Sequence, residues 1–394
     1  MTMRKYIIPI AVLALAGPVA AQQPIDAVLQ QIERNNTTLE ALRKQTEADK
    51  LQNKTGITLP DPEVSFDYLW GDPSAIGNRK DFGVSQSFDI ATIAGSRRRV
   101  ADAQNGLLDV EYRAGRMAVL LEARQACIQL IYYNALKAEL EQRLAHAQAV
   151  ADFYDRQLAD GNANRLEVNK ARLSLSVAQG ELRRNEVERA NLLSELQRLN
   201  GGEPVAFEQA AYAQPVLPQD FEAWYDRAAA ANPALAYARQ NVELKRREMK
   251  LGKLAGLPQI SAGYMSELVP ESNFRGITLG LSVPLWSNRN RVKQAKAAVV
   301  AAELQQKDAT VQFYERLRNQ YNRTLGLQRT AGEYRKALAE LDNTQLLRKA
   351  LDAGEISLLD YIVELGLYYT TVDEALAAER DYELALTELQ SVML

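Results

Sequence analysis

The chain has 394 residues, 25% of them charged, 47% hydrophobic and 7% aromatic, with a net charge of −3. That balance leaves no basic footprint for nucleic acid. One cysteine, Cys127, and one histidine, His146, preclude a disulfide framework within the chain and bring a histidine-based metal site or a Ser-His-Asp triad close to exclusion.

Residues 1–21 read as an export signal. Arg4 and Lys5 make a basic start, Tyr6 to Ala16 an apolar run, and Val19-Ala20-Ala21 a small-residue cleavage site. The run is short and ends at Gly17-Pro18, against a membrane-anchor helix, and no cysteine follows the cleavage site to carry a lipid. Beyond it, no apolar stretch approaches the ~18 residues of a spanning helix. If the exported chain enters a membrane it does so with β-strands, because closed barrels are the other structure that leaves no backbone group unpaired in hydrocarbon.

A helix is predicted from Pro24 to Lys54. Glu63 to Trp70 then alternates, with Val64, Phe66, Tyr68 and Trp70 on one face and Glu63, Ser65 and Asp67 on the other. A polar loop, Gly71 to Arg79, leads to a less clean strand over Phe82 to Phe88. Arg97 to Leu158 holds no proline and is predicted as one helix of roughly 90–95 Å if straight, with Gly106 and Gly115 as places for bends. Cys127, within EARQACIQLIYY, reads as a buried small hydrophobe. After a turn at Gly161 the next helix keeps one seam through Val168, Leu175, Leu182 and Leu196, interrupted by Arg189. Leu166 and Leu173 add contacts on a second side, as a helix in a tube wall has.

Asn200-Gly201-Gly202 closes this unit, and the Pro-rich segment 203–220 leads into the same order again. GITLPDPEVSF pairs with KLAGLPQIS, FGVSQSF with ITLGLSV, and ADGNANRLEV with DAGEISLLDY, setting Gly161 against Gly354 and Leu166 against Leu359. The organisation is therefore a signal (1–21), a first repeat (22–202), a linking segment (203–220) and a second repeat (221–394), forming one continuous domain. In the second repeat Ile277, Leu279, Leu281, Val283 and Leu285 alternate with Thr278, Gly280, Ser282 and Pro284, and Glu267 to Asn273 reads as a polar hairpin tip. Arg289 to Leu351 is predicted as a second very long helix, with bends allowed at Gly326 and Gly332. The final helix carries two heptad seams: Leu358, Leu365, Val372, Leu386 and Met393, and Tyr361, Tyr368, Ala375, Tyr382 and Leu389, broken at Glu379. A sustained heptad means coiled-coil packing.

The strand alternation suits lipid on one side and water on the other, although a half-buried strand in a soluble sheet has the same pattern. Four strands cannot close, since the smallest membrane barrels have about eight. Either several copies share one barrel or the strands do not span. The fold class follows: mainly α with a small β part, a long coiled-coil helical barrel joined to a four-stranded contribution per protomer to a shared transmembrane β-barrel, with an internal two-fold repeat.

The signal, the duplicated layout and the turn motifs resemble the TolC-like outer-membrane factor family across the whole mature chain. LPDPEVSFDY, SQSFDIATIAGSRRRVADA and AGEISLLDYIVE are most similar to its heavy-metal and drug efflux branch. The resemblance implies a homotrimer in the outer membrane with a long periplasmic tube and no lipid anchor. It also implies an inner-membrane pump of the resistance-nodulation-division type, a periplasmic adaptor, no cofactor and no chemistry. It makes Gly161 and Gly354 the turn glycines of the periplasmic mouth, with acidic residues ringing the constriction. Asp360 matches a family aspartate. Glu364 lies one turn on along the same face, although the family's second aspartate falls nearer Val363. Glu167 is Asp360's counterpart in the first repeat, and Arg165 is the nearest candidate cation. Such a ring in a narrow neck favours cations; solvated helix-face charges are the simpler alternative. Tyr68 and Trp70 are candidates for the outer aromatic girdle and Trp286 for the periplasmic one. The Arg97-Arg98-Arg99 run either faces anionic headgroups or is a solvated helix start. The competing readings are a periplasmic coiled-coil adaptor without a pore, and an enzyme using Glu63, Asp67 and Asp89 as carboxylates.

Overall fold

The computed structural model describes residues 25–213, 217–286 and 288–393. The export signal at 1–21 and the predicted helix start at Pro24 lie outside the described residues.

The first repeat begins with α1 (Ile25–Asn35) and α2 (Thr37–Gln52), so the single helix expected over Pro24 to Lys54 is two. Asn36 separates them. Its side chain accepts the Leu39 N–H at 2.8 Å and donates to the Leu199 carbonyl at 2.7 Å, which starts a new helix instead of extending the old one. The strands β1 (Glu63–Leu69) and β2 (Arg79–Phe88) follow, then the short α3 (Ile90–Ile93) and α4 (Ser96–Ala159). At 64 residues α4 runs unbroken through Gly106 and Gly115, a length of roughly 96 Å. The antiparallel α5 (Arg165–Leu199) completes the unit.

The second repeat consists of α6 (Phe221–Ala231), α7 (Pro233–Leu254), β3 (Gln259–Val269), β4 (Ser272–Ser282), α8 (Arg291–Glu340), α9 (Thr344–Asp352) and α10 (Leu358–Gln390). Three expectations are corrected here. The helix expected over Arg289 to Leu351 stops at Glu340, because the Asp342 carboxylate accepts both the Thr344 N–H at 3.0 Å and its hydroxyl at 2.7 Å. That local cap competes with the helical ladder; Gly326 and Gly332 interrupt nothing. The loop expected over Glu267 to Asn273 is mostly ladder, since Leu268 pairs with Asn273 and Val269 with Ser272. Only Pro270 and Glu271 turn the chain. At its other end β4 stops at Ser282, short of Val283 and Leu285.

The two largest of four buried clusters among the described residues do most to hold the helices. The first joins α1, α4 and α5 through Ile32, Leu130, Ile131, Leu196 and Cys127, with Val205 and Phe207 of the linking segment packed in. The second joins α6, α7, α8 and α10 through Trp224, Leu235, Phe313, Leu317 and Leu386, with Leu217 from the same segment. The linking segment therefore straps both repeats. Of the two seams expected on α10, Leu358, Tyr361, Leu365, Val372, Tyr382, Leu386 and Leu389 are buried, and Met393 is exposed beyond the helix end.

Candidate functional site

The four strands form one antiparallel sheet in the order β1-β2-β3-β4, and the register fixes its two faces. Val64 stands opposite Val84, Val84 opposite Tyr264, and Tyr264 opposite Ile277. Phe66, Phe82, Ile260, Leu279 and Leu281 share that face. The other presents Glu63, Ser65, Asp67, Asp81, Ser85, Ser261, Glu267, Thr278 and Ser282. The apolar face has no helix over it: Ile277 is 82% exposed and Leu279 79%. Both outer edges, β1 and β4, lack a partner strand among the described residues. A sheet with one naked apolar face and two open edges is incomplete by itself.

On the polar face Asp67, Asp81 and Glu267 stand abreast across β1, β2 and β3. Arg79 bridges two of them, donating from Nε to Asp81 at 2.9 Å and lying 3.2 Å from Glu267. This group was not legible in the sequence, because its members become neighbours only through strand pairing. Tyr68 and Trp70 meet edge-to-face at 5.7 Å near the hairpin end of β1, and Trp286 lies 80% exposed just past β4. The carboxylates of the enzyme reading do not converge. Glu63 and Asp67 stay on the strand face, while Asp89 caps α3 and pairs with Arg97 at 2.8 Å.

At the opposite end of the helices the two turns are built alike. Gly161 and Gly354 sit at φ +78° and +72°, in the left-handed region that costs glycine nothing. In each turn the glycine N–H bonds the carbonyl three residues back, and the next N–H reaches the carbonyl five residues back: Asn162 to Gln157 at 2.8 Å and Glu355 to Ala350 at 2.9 Å. This is a Schellman closure. Three residues beyond each glycine a capping box opens the next helix. Asn164 accepts the Glu167 N–H, and Glu167 accepts the Asn164 N–H at 2.9 Å. Ser357 and Asp360 repeat the pattern, with the Ser357 hydroxyl donating to Asp360 at 2.7 Å. The candidate carboxylates Glu167 and Asp360 therefore also hold their own helix starts. Arg165 and Glu364 are exposed and make no ion pair with each other. Leu166 and Leu173 are exposed on α5, and Leu359 and Val363 on α10.

Above the tips, α4 and α10 are joined by a polar lock. Arg143, 5% exposed, makes a two-pronged pair with Asp373 at 2.7 and 3.0 Å, and its guanidinium lies 4.5 Å from the Tyr369 ring centre. One turn along, His146 Nε2 contacts the Tyr361 hydroxyl at 2.7 Å, and Nδ1 faces the Tyr369 hydroxyl at 3.4 Å. Burial, and then the Arg348 charge, push the imidazole below its ordinary pKa. Cys127 is fully buried, and burial raises its thiol to about 12, as expected of an inert core residue. No group of metal-ligating side chains and no helix long and apolar enough to cross a membrane occurs among the described residues.

No family model matches the chain. It is 26% identical, over 90% of its length and 81% of the relative's, to the alkaline protease secretion protein AprF of Pseudomonas aeruginosa. It superposes on the outer membrane protein VceC of Vibrio cholerae with a TM-score of 0.74 and 12% identity, covering 94% of this chain and 95% of that one. On the CmeC outer membrane channel of Campylobacter jejuni the TM-score is 0.70 with 14% identity, covering 100% and 93%. A two-faced sheet with open edges, paired helical hairpins with matching tips and these likenesses along nearly the whole chain show that it shares the fold of these outer-membrane proteins.

Proposed function

We propose that the chain is the outer-membrane exit duct of a tripartite export system, working as a homotrimer and doing no chemistry. One observation carries this reading: the register gathers most of the apolar strand residues on one naked face and the carboxylates Glu63, Asp67, Asp81 and Glu267 on the other, with both edges unpaired among the described residues. Joining β4 of one copy to β1 of the next removes the edges, sets the apolar face against lipid and leaves Asp67, Asp81 and Glu267 around a watery lumen. The helical hairpins extend that lumen through the periplasm towards an adaptor and an inner-membrane pump of the resistance-nodulation-division type.

At the far mouth Asp360, Glu364 and Glu167 form the acidic ring, with Arg165 beside it. The capping bonds at Asp360 use Oδ2 and those at Glu167 use Oε2, so capping and a charged ring are compatible. Tyr68 and Trp70 sit at the outer interface and Trp286 at the periplasmic one. Purified protein is expected to run as a heat-sensitive trimer on gels and to conduct in planar bilayers. Asp360→Asn with Glu364→Gln is expected to weaken divalent-cation block. A water-soluble monomer without conductance would overturn the duct, and unchanged block would overturn the ring alone.

Export of a polypeptide is the second reading, favoured by the likeness to a protease secretion protein. Deleting the gene separates the two: loss of a secreted protein from the medium supports it, and heightened sensitivity to drugs or metal ions supports small-molecule efflux.

A further inference from the structure

We propose that the ends of α4, α7 and α8 next to the sheet form a basic collar that seats anionic phospholipid headgroups of the periplasm-facing leaflet. The proposal rests on the sheet spanning the membrane. In a chain of net charge −3, residues 97–99, 245–253 and 289–296 together hold twelve basic residues and one acidic residue. The fold brings these three stretches together. The Arg247 guanidinium donates to the Arg99 carbonyl at 3.0 Å, and Asn288, just before α8, donates to the Ala255 carbonyl at 2.9 Å. Arg97, Arg291 and Trp286 line one cleft of about 500 Å³ directly beneath the strand ends.

Some of these cations are already engaged. Arg97 is held by Asp89, Lys245 by Glu248, Arg246 by Glu303 and Arg247 by Glu243. Arg98, Lys250, Lys253, Arg289, Lys293 and Lys296 are exposed and pair with no carboxylate among the described residues. Arg98, Lys250, Lys253, Lys293 and Lys296 lie in the two turns of α4, α7 and α8 nearest the sheet, and Arg289 in the link before α8, where β2 stops at Phe88, β3 starts at Gln259 and β4 stops at Ser282. Asp61, Glu63 and Asp102 are exposed acids at this end of the sheet that form no ion pair among the described residues, too few to neutralise the group.

The partner's chemistry follows from position. The collar borders the apolar face, and the exposed Trp286 beside it has an amphipathic ring suited to headgroup depth. The anion presented at that depth is the phosphate of a phospholipid. Each Lys or Arg close to an anionic leaflet strengthens attachment about fivefold at physiological salt, and the effect fades within a Debye length. An arrangement of this kind fixes the height of the barrel, because sliding in either direction moves unpaired cations into hydrocarbon or away from the phosphates.

The test uses the full-length protein reconstituted into vesicles of phosphatidylcholine alone or with phosphatidylglycerol, followed by mass spectrometry of the lipid that stays bound on gentle re-extraction. Wild type is expected to retain phosphatidylglycerol about fivefold above its bulk share. The quadruple variant Arg98→Gln, Lys253→Gln, Arg289→Gln, Lys293→Gln is expected to fall to the bulk share while still conducting. A control variant, Lys307→Gln, Arg316→Gln, Arg323→Gln, Arg329→Gln, removes as many exposed cations further along α8 and is expected to keep the enrichment. Bulk-share retention by wild type, enrichment surviving in the collar variant, or equal loss in the control would each overturn the collar. So would displacement of the lipid by soluble glycerophosphoglycerol, which would indicate an isolated anion pocket. Failure to enter phosphatidylcholine vesicles at all would instead defeat the spanning sheet.

Discussion

Arg143 and Asp373 keep different amounts of water, and that difference sets the cost of losing either. The guanidinium is almost wholly buried, whereas the carboxylate side chain is 44% exposed. Removing Arg143 lets Asp373 hydrate. Removing the Asp373 charge strands a buried cation, whose Nε already lacks a partner. Asp373→Asn is therefore expected to destabilise by about 2 kcal/mol, discounted from a fully buried pair for the exposure of the carboxylate, and Arg143→Met by less. Thermal melting followed by circular dichroism checks the order; the reverse order would mean the lock is not desolvated. Two titratable groups nearby pull stability in opposite directions with pH. The His146 pKa is depressed by burial and then by Arg348, so its contribution is complete above pH 6.5 and is lost as pH falls through the lower folded value. Glu383 is raised to about 7 by burial and then by Glu379, against Arg124 and Arg335. Its contribution is complete below the unfolded value near 4.5 and is lost as pH rises through about 7. Melting temperatures between pH 5 and 8 are expected to show a flatter acid limb in His146→Asn and a flatter rise-to-neutral loss in Glu383→Gln. A parallel shift of either curve would sink the assignment.

The tips show which parts of an element are legible in a sequence. Gly161 and Gly354, and the acids six residues beyond each, form a short local signal, and the structure repeats a Schellman closure and a capping box at the two sites. The strands were legible for the same reason, since alternation is local. The break after Glu340 was not, because Asp342 and Thr344 hide a cap inside continuing apolar recurrence. The Arg143–Asp373 lock joins residues 230 positions apart, and the Arg79 cluster exists only once β2 pairs with its neighbours, so neither had a sequence signal to read. The capping boxes carry their own prediction. Ser357→Ala is expected to cost about 1 kcal/mol and to speed amide exchange in the first turn of α10, while α5 is unchanged. Gly354→Ala places a side chain at positive φ and is expected to cost a further ~1 kcal/mol. Exchange that rises evenly along α10 would argue that packing, and not the cap, holds its start.

At the scale of the whole molecule, the internal repeat and the strand count were legible without coordinates, and from them the choice between a barrel shared by several copies and strands that do not span. What pairing adds is the assignment of each side chain to one face, and this allows a test on two adjacent residues. Leu279 lies on the apolar face and Thr278 on the polar one. A lysine at Leu279 sits in hydrocarbon and is expected to cost about 2–4 kcal/mol per copy near the membrane midplane. A trimer suffers that cost three times over, so assembly into vesicles is expected to fail while the helix content of the detergent-solubilised chain persists. A lysine at Thr278 points into the lumen, where water receives it and Glu63 lies in the same row across Gly263 and Ser85. That variant is expected to insert normally and to shift ion preference towards anions, because three added positive charges offset part of the acidic lining. Vesicle flotation and reversal potentials read the two outcomes. If Thr278→Lys blocks insertion and Leu279→Lys does not, the sheet faces the opposite way. If neither has an effect, the sheet does not lie in a membrane, because no position on a spanning strand leaves both of its neighbouring faces indifferent to charge.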